Sequence, residues 1–306
     1  MTVAGSHEYQ ICLNAYDGVF SMTVDRTFLR SFSANVDWLY AGLIQIAGDQ
    51  RRPDCEPSLG GKLLYAGELD SAGCALLAAA NIAGAASLTA TADVATQKQA
   101  IRDGVIDFLV STLGEALRIL KNEIRKGQTV AVCVALPPDQ VELEMEELGV
   151  LPDLLPPGTV DALRFEAFIA QGARQVNPLA AADHLAVLTW KVDAAPALWL
   201  PKVDAIAHDC LDSFSRRPGS AHRWLRLSPR YLGRLAPAGR LLRCETGTAR
   251  AFLDKLAMHV ASGKIEVGVE VCLSSKGKSE AHRLSPSAEA DASKDISLAY
   301  SQRLQF

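Results

Sequence analysis

Residues 60–93 read GGKLLYAGELDSAGCALLAAANIAGAASLTATAD, and this stretch decides the predicted fold. Two short apolar runs, from Lys62 to Ala66 and from Ser87 to Thr91, flank a helical pattern that extends from Ser71 to Ala83. Gly84 follows that pattern, and glycine is common directly after a helix because it adopts the left-handed conformation without steric cost. A strand, a helix and a strand in this order are typical of a parallel βαβ unit.

The same alternation continues as far as Leu155. Further strands are predicted at 105–110, 129–136 and 150–155, and the intervening segments have the pattern of helices. Strands this apolar are expected where helices cover both faces of a parallel sheet. The sequence therefore predicts an α/β fold with a Rossmann-like, mainly parallel sheet, flanking helices and a further C-terminal α/β region.

The chain of 306 residues is long enough for two modest domains or for one domain with large flanks. Pro156, Pro157 and Gly158 interrupt the alternation and mark a boundary after the last strand of the run. Beyond residue 273 the sequence is rich in serine, lysine and alanine and has no periodicity. The predicted organisation is a strand and helix segment at 1–59, a Rossmann-like core at 60–158, an α/β region at 159–273 and a loosely ordered tail at 274–306.

Composition excludes several classes of protein. The formal net charge is -4, so no chain-wide attraction to nucleic acid or to anionic membranes is expected. The longest apolar stretch, at 74–88, is too short to span a bilayer, and the N-terminus has no secretory signal, which predicts a cytoplasmic protein. The seven cysteines are dispersed without a C-x-x-C pair, which argues against a disulfide framework and against a zinc site. We therefore expect no metal.

The turn between the first strand and the first helix is the place where nucleotide-binding α/β domains hold a phosphate. Here the turn reads GELDSAG, from Gly67 to Gly73. Leu69 stands where the second glycine of G-x-G-x-x-G allows the pyrophosphate to approach. The alternative is a plain turn in which Asp70 or Ser71 caps the helix. The cofactor-binding candidates in this turn are Gly67, Asp70, Ser71 and Gly73.

Asp93 is the acidic residue nearest to the position at which dinucleotide-binding domains bond the ribose, about 20 residues after the glycine-rich turn. It follows Thr91 and Ala92 at the end of the second predicted strand. Asp93 is therefore a candidate for cofactor binding, although it is equally well explained as the N-cap of the next helix. No G-x-S-x-G, P-loop or H-E-x-x-H motif supports hydrolase or phosphoryl-transfer chemistry.

A basic stretch at 215–235, SRRPGSAHRWLRLSPRYLGRL, interleaves arginines with aromatic residues. Arginines can bind phosphate or carboxylate groups through two parallel hydrogen bonds, so Arg223, Arg226 and Arg230 are candidates for anion or partner binding. Three alternatives are open: exposure to solvent, a contact between subunits of a homo-oligomer, or pairing with the acidic helix that contains Glu142, Glu144, Glu146 and Glu147. Nucleic acid is not expected as a partner because the remainder of the chain is acidic.

Four motifs occur in an order and spacing that resemble the NAD-binding core of urocanase, the hydratase that uses tightly bound NAD in histidine breakdown. They are LLYAGELDSAGCALLAAANIAGAASL at 63–88, TLGEALRIL at 112–120, GQTVAVCVAL at 127–136 and ELGVLPDLL at 147–155. The resemblance covers about a third of the chain. It implies a Rossmann-like core, NAD as the cofactor and hydratase or lyase chemistry.

The chain departs from the urocanase pattern at the positions that carry its chemistry. The glycine-rich turn of the family, of the type GLGGMGGAQ, is matched convincingly only at Gly67 and Gly73, and Thr91 stands at the family's acidic position. The cysteine-bearing signature of the type QGLPARICW does not occur. We therefore expect a divergent urocanase-like protein that binds a small molecule or nucleotide at the carboxyl edge of the sheet without hydrating urocanate. The alternatives are an NAD-assisted hydratase or lyase with a rebuilt active site and a non-catalytic interaction or scaffold protein.

Overall fold

The computed structural model of the chain describes residues 32–48, 56–177, 185–214, 219–235, 239–275 and 278–286. The strand predicted at 9–16 lies outside these ranges. Helices are α1 Phe32–Gly48, α2 Ser71–Ala83, α3 Val94–Asp103, α4 Leu113–Lys126, α5 Pro138–Glu147, α6 Ala162–Gln171, α7 Pro196–Phe214, α8 Ser220–Leu232 and α9 Thr246–Ala261. Strands are β1 Leu63–Glu68, β2 Ala86–Ala90, β3 Phe108–Val110, β4 Val130–Val134, β5 Leu154–Leu155, β6 Arg174–Gln175, β7 Leu185–Val192, β8 Gly239–Glu245, β9 Val269–Ser275 and β10 Lys278–Leu284.

The first six strands form a parallel sheet in the order β3-β4-β2-β1-β5-β6. Every residue of β2 and β4 is buried, as expected for strands that helices cover on both faces. Side chains alternate along β1, so that Leu64 packs in the core that contains α2 while Leu63 and Tyr65 pack in the core that contains α4, α5 and α6. The predicted α/β fold with a Rossmann-like parallel sheet and flanking helices is confirmed.

A second sheet, antiparallel and four-stranded in the order β10-β9-β7-β8, occupies the C-terminal region. Along β7 the buried residues alternate with partly exposed ones, so that one face of this sheet packs against helices α7 and α9. Trp190 of β7 stacks at 5.1 Å on Phe252 of α9 and donates a hydrogen bond of 3.0 Å to Asp204 of α7. This arrangement confirms the further α/β region that the sequence predicts after the parallel sheet.

Several elements of the C-terminal region differ from the prediction. Residues 278–284, which the sequence placed in a loosely ordered tail, form β10 and pair in antiparallel register with β9. Six of the seven residues of β10 are exposed, so its sequence lacks the apolar alternation by which a half-buried strand is recognised. Helix α8 lies within the basic stretch. Pro218, which precedes the helix in sequence, and Pro229, which lies within it, are residues that argue against a helix in a sequence-based prediction.

Helices α1 and α8 join the two sheets. Both pack on α2 of the parallel sheet, and α8 also packs on β8 of the antiparallel sheet. The Tyr40 hydroxyl of α1 donates a hydrogen bond of 2.8 Å to the Ser220 carbonyl at the start of α8. Arg243 of β8 donates a hydrogen bond of 3.0 Å from its Nε to the buried carboxylate of Asp37 in α1. Through these contacts the N-terminal helix is part of the C-terminal region as well as of the parallel sheet.

Several helices of the parallel-sheet region have a carboxylate that accepts amide hydrogen bonds at their start, among them α3, α4 and α6. Asp93 accepts hydrogen bonds from the amides of Ala95 and Thr96 at the start of α3, and Asp161 does the same for Leu163 and Arg164 at the start of α6. Glu115 reaches back to the amide of Ser111, while the Thr112 hydroxyl accepts from the amide of Glu115. Thr112 is therefore the N-cap of α4, and Glu115 satisfies the amide of the residue before it.

These bonds lower the pKa of each carboxyl group. For Asp93 the main cause is the Thr96 hydroxyl, for Glu115 the Ser111 amide and for Asp161 the Arg164 amide. A carboxylate whose pKa is lower in the folded state stabilises the protein above its unfolded pKa of about 4, and this contribution is lost as the pH falls through the folded pKa.

We therefore expect the triple variant Asp93→Asn, Glu115→Gln and Asp161→Asn to lose less stability than the wild type between neutral and acidic pH. The free energy of urea unfolding, measured across this range for both proteins, tests the expectation. Glu147→Gln, which replaces an exposed carboxylate near the end of α5, is the control and should follow the wild type. Parallel pH profiles for the triple variant and the wild type would contradict the assignment.

Candidate functional site

The carboxyl edge of the parallel sheet has two points at which neighbouring strands lead to opposite faces. The loops after β2 and β1 lead to α3 and α2 on one face, whereas those after β4 and β5 lead to α5 and α6 on the other. In open α/β sheets, ligands bind outside the carboxyl ends of the strands where such a change of face occurs. We call the opening bounded by residues 67–71 and 156–161 the β1/β5 crevice.

Gly67 has a φ angle of 69°, which favours glycine, and its carbonyl accepts a hydrogen bond of 2.8 Å from the Thr89 hydroxyl. A Cβ atom at this position would overlap the carbonyl oxygen of Thr159. Gly67 is therefore required because the loop after β5 lies directly against the end of β1. This loop forms one wall of the β1/β5 crevice.

Gly73 lies in the first turn of α2, where a Cβ atom would overlap the carbonyl oxygen of Glu68. This glycine allows the helix to approach the strand closely, which is the role of the third glycine in dinucleotide-binding turns. Gly67 and Gly73 were both predicted to bind a cofactor. Close contacts within the protein itself explain why these two positions need glycine.

The residues between these glycines do not fit a pyrophosphate group at the N-terminus of α2. Asp70 caps the helix, and its Oδ1 accepts a hydrogen bond of 2.8 Å from the Gly73 amide, one of the amides that would face a phosphate. Leu69 is fully buried where close backbone approach would need glycine. Ser71 is the first residue of the helix and is exposed. The plain capped turn describes this geometry, and NAD binding stays a prediction.

Asp93 lies at the other change of face, at the end of β2, and caps α3. Both of its carboxylate oxygens accept backbone amide bonds, and Oδ2 also accepts a hydrogen bond of 2.5 Å from the Thr96 hydroxyl. These bonds favour the ionised form and lower the pKa of Asp93. The geometry is that of an N-cap, the second of the two interpretations that the sequence left open.

Acidic side chains dominate the β1/β5 crevice. Glu68 and Asp70 are exposed at the end of β1, and Asp161 is exposed at the start of α6 on the opposite wall. The nearest cation at this edge, Arg164, is occupied by Glu142, Glu146 and Asp161, with nitrogen-oxygen distances of 3.0 to 3.1 Å. Electrostatically, such a crevice favours a ligand that is cationic or rich in hydrogen-bond donors over a pyrophosphate.

A buried polar cluster, which the sequence analysis did not find, lies beneath this crevice. The hydroxyl of the fully buried Tyr65 donates a hydrogen bond of 3.0 Å to Glu142, which in turn pairs with Arg164. Burial raises the pKa of Glu142 and that of Tyr65 above their ordinary values. These three residues come from β1, α5 and α6, which are distant in sequence, so no local motif points to them.

The three arginines of the basic stretch are not brought together as one anion site. Arg223 is buried and donates a hydrogen bond of 2.6 Å to the Ile82 carbonyl near the end of α2, and it also pairs with Glu56 at 3.3 Å. Arg226 pairs with the same carboxylate, while the exposed Arg230 lies 5.2 Å from the Tyr231 ring. The alternative in which these arginines pair with the acidic helix is wrong for Arg223 and Arg226, because both contact Glu56, and the exposed Arg230 fits the alternative of solvent exposure.

Cysteines and metal-binding groups add no chemistry to this edge. Cys133 is fully buried in β4, and burial raises the pKa of its thiol to about 12. Within the described ranges, no group of three or more histidine, cysteine, aspartate or glutamate side chains could hold a metal ion.

No helix in the described part of the chain has the length and apolar character needed to cross a membrane.

Comparison with known proteins adds no assignment. No protein-family model matches the chain, and a search of curated proteins finds no match.

Proposed function

We propose that this chain binds a small polar molecule in the β1/β5 crevice, that the molecule is cationic or rich in hydrogen-bond donors, and that the protein does not hydrate urocanate. The observation that carries the proposal is the strand order, because it places the helices that follow β1 and β5 on opposite faces of the sheet at its carboxyl edge. The exposed carboxylates of Glu68, Asp70 and Asp161 support a ligand that is cationic or rich in hydrogen-bond donors.

The proposal retains a urocanase-like core but assigns it a different ligand. The resemblance implies NAD, whose pyrophosphate carries negative charge and requires free amides at the start of a helix. In this chain Asp70 accepts one of those amide bonds, and Leu69 fills the position that close approach of a phosphate requires. A cationic ligand needs neither feature, and the ionised carboxylates stabilise it directly.

A thermal-shift screen tests the proposal. The probes are small amines and guanidines, their matched carboxylates including urocanate, and NAD and NADP. A ligand that binds only the native state raises the unfolding temperature by mass action. We expect amines or guanidines to raise it and the carboxylates and dinucleotides to leave it unchanged. Stabilisation by NAD without stabilisation by any amine or guanidine would contradict the proposal and favour the alternative of an NAD-assisted hydratase or lyase.

Two variants test whether the stabilising ligand binds in the β1/β5 crevice. Glu68→Gln should abolish most of the shift that the best amine or guanidine produces, because it removes a carboxylate from the crevice and leaves the helix caps intact. Glu147→Gln, which removes an exposed carboxylate elsewhere on the parallel-sheet region, should retain the full shift. Urocanate consumption, followed by ultraviolet absorbance, should be absent in the wild type.

A further inference from the structure

Strand β3 is an open apolar edge of the parallel sheet. It is the outermost strand, and within the described residues it pairs only with β4. Phe108 is 48% exposed and Leu109 is 37% exposed, although both belong to a strand. An edge strand presents unpaired backbone amides and carbonyls that can pair with another strand.

The other sheet edges among the described residues are polar, charged or covered. Both residues of β6 are exposed and polar, and β10 carries exposed charged side chains such as Lys278 and Arg283. The remaining edge, β8, packs against α8, whose Trp224 donates a hydrogen bond to the Leu241 carbonyl of that strand. Charged or covered edges resist pairing with another chain, whereas an exposed apolar edge favours it.

A groove of about 800 Å³ lies between β3 and helix α4. Phe108 and Ile119 provide its apolar surface, while Asp107, Arg118 and Glu123 provide charges. Helix α4 runs from the carboxyl edge of the sheet to the amino edge, so that Glu123 lies with Asp107 towards the amino end and Arg118 lies further along the groove. Within the described residues Arg118 makes no direct ion pair, and it interacts electrostatically with Glu115, one turn earlier in α4. Glu123 pairs with Lys126 at 2.8 Å.

We propose that this edge binds a second copy of the chain, with the two β3 strands paired in antiparallel fashion about a two-fold axis. A two-fold interface must be self-complementary, because the same surface contributes to both sides. An axis perpendicular to the sheet at Leu109 keeps both α4 helices on the same face and brings the two Phe108 rings into the space between them. It also reverses the groove, so that Arg118 faces the acidic end formed by Asp107 and Glu123 of the partner subunit.

This pairing gives each exposed feature of the edge a partner. The ladder satisfies backbone groups of β3, the Phe108 rings leave water, and Arg118 gains a second carboxylate beside Glu115 of its own helix. Other exposed apolar side chains, such as Leu163 in α6 and Met258 in α9, lie on helices and lack an adjacent row of backbone donors and acceptors. The proposal is independent of the ligand that the β1/β5 crevice takes.

Sedimentation velocity over a wide range of protein concentration tests the proposal, with a concentration-dependent dimer as the expected result. Phe108→Glu should weaken the dimer by about tenfold or more, since it places a charge at the centre of the interface. Leu163→Glu, at a position 85% exposed, introduces the same charge elsewhere and should leave dimerisation unchanged. Thermal unfolding establishes that each variant is folded.

A charge-reversal experiment distinguishes the loss of this interface from a general loss of protein stability. Arg118→Glu and Glu123→Arg should each weaken the dimer, whereas the double variant that carries both changes should recover it, because the two charges exchange places across the two-fold axis. A wild type that is monomeric at every concentration overturns the proposal. A dimer that Phe108→Glu leaves intact, or a double variant that fails to recover dimerisation, overturns it as well.

Discussion

Replacing Gly73 by alanine should destabilise the protein by about 3 kcal/mol, although alanine is the better helix former. The added Cβ would overlap the Glu68 carbonyl oxygen, a backbone atom of β1 that a change of rotamer cannot move. Either α2 must shift away from the sheet or β1 must distort at its carboxyl end. Urea unfolding of the wild type and the variant measures the change in the free energy of unfolding.

Gly114 provides the matched control because it also lies near the start of a helix. No heavy atom lies within 4 Å of the Cβ that Gly114→Ala would add, and its φ angle is not positive. Since only the helix propensity changes there, this variant should gain up to about 1 kcal/mol. The opposite signs of the two effects would identify close approach as the reason for Gly73. An equal effect of both substitutions would contradict that reason.

Arg223→Ala should destabilise the protein by about 2 to 3 kcal/mol, since Glu56 keeps Arg226 as a counter-charge. The buried guanidinium bonds the Ile82 carbonyl near the end of α2 and pairs with Glu56. Removal of the side chain leaves both groups without this partner and opens a cavity between α2 and α8. The same urea titration measures the loss, and activity or ligand binding need not be known.

Arg230→Ala, in the same helix, should change the free energy of unfolding by no more than about 0.5 kcal/mol, because the side chain is exposed and lies over the Tyr231 ring. The pair distinguishes a structural arginine from a surface arginine within one basic stretch. Equal and small effects of Arg223→Ala and Arg230→Ala would contradict the assignment of Arg223 to the interior.

The elements whose ends depend on local chemistry are the ones that sequence reasoning predicts well. The predicted helix from Ser71 to Ala83 matches α2, since Asp70 caps its start and Gly84 follows its end with a φ angle of 93°. The order of the strands in the sheet could not be predicted in this way, because any of several apolar strands could pair with β2. No local pattern places β4 between β3 and β2, and the change of face beside β1 follows only from that order.

The same limit applies to the candidate site. The sequence offered helix capping as an alternative role for Asp70 and for Asp93, because an N-cap bonds amides only two or three positions away. Arg223 pairs with groups that lie 141 and 167 positions earlier in the chain, so its burial could not be inferred from the basic stretch. Asp161 reaches the β1/β5 crevice only because the loop after β5 lies against the end of β1, a contact that no local pattern predicts.

The bond between Asp37 and Arg243 has a consequence for the order in which the chain can fold during synthesis. The two residues are 206 positions apart, and the carboxylate in α1 is buried in the finished structure. While the ribosome is still making the antiparallel sheet, this carboxylate has no counter-charge, and burying it alone would be costly. We therefore expect helix α1 to pack on α2 first and to complete its contacts with the antiparallel sheet only after β8 has emerged.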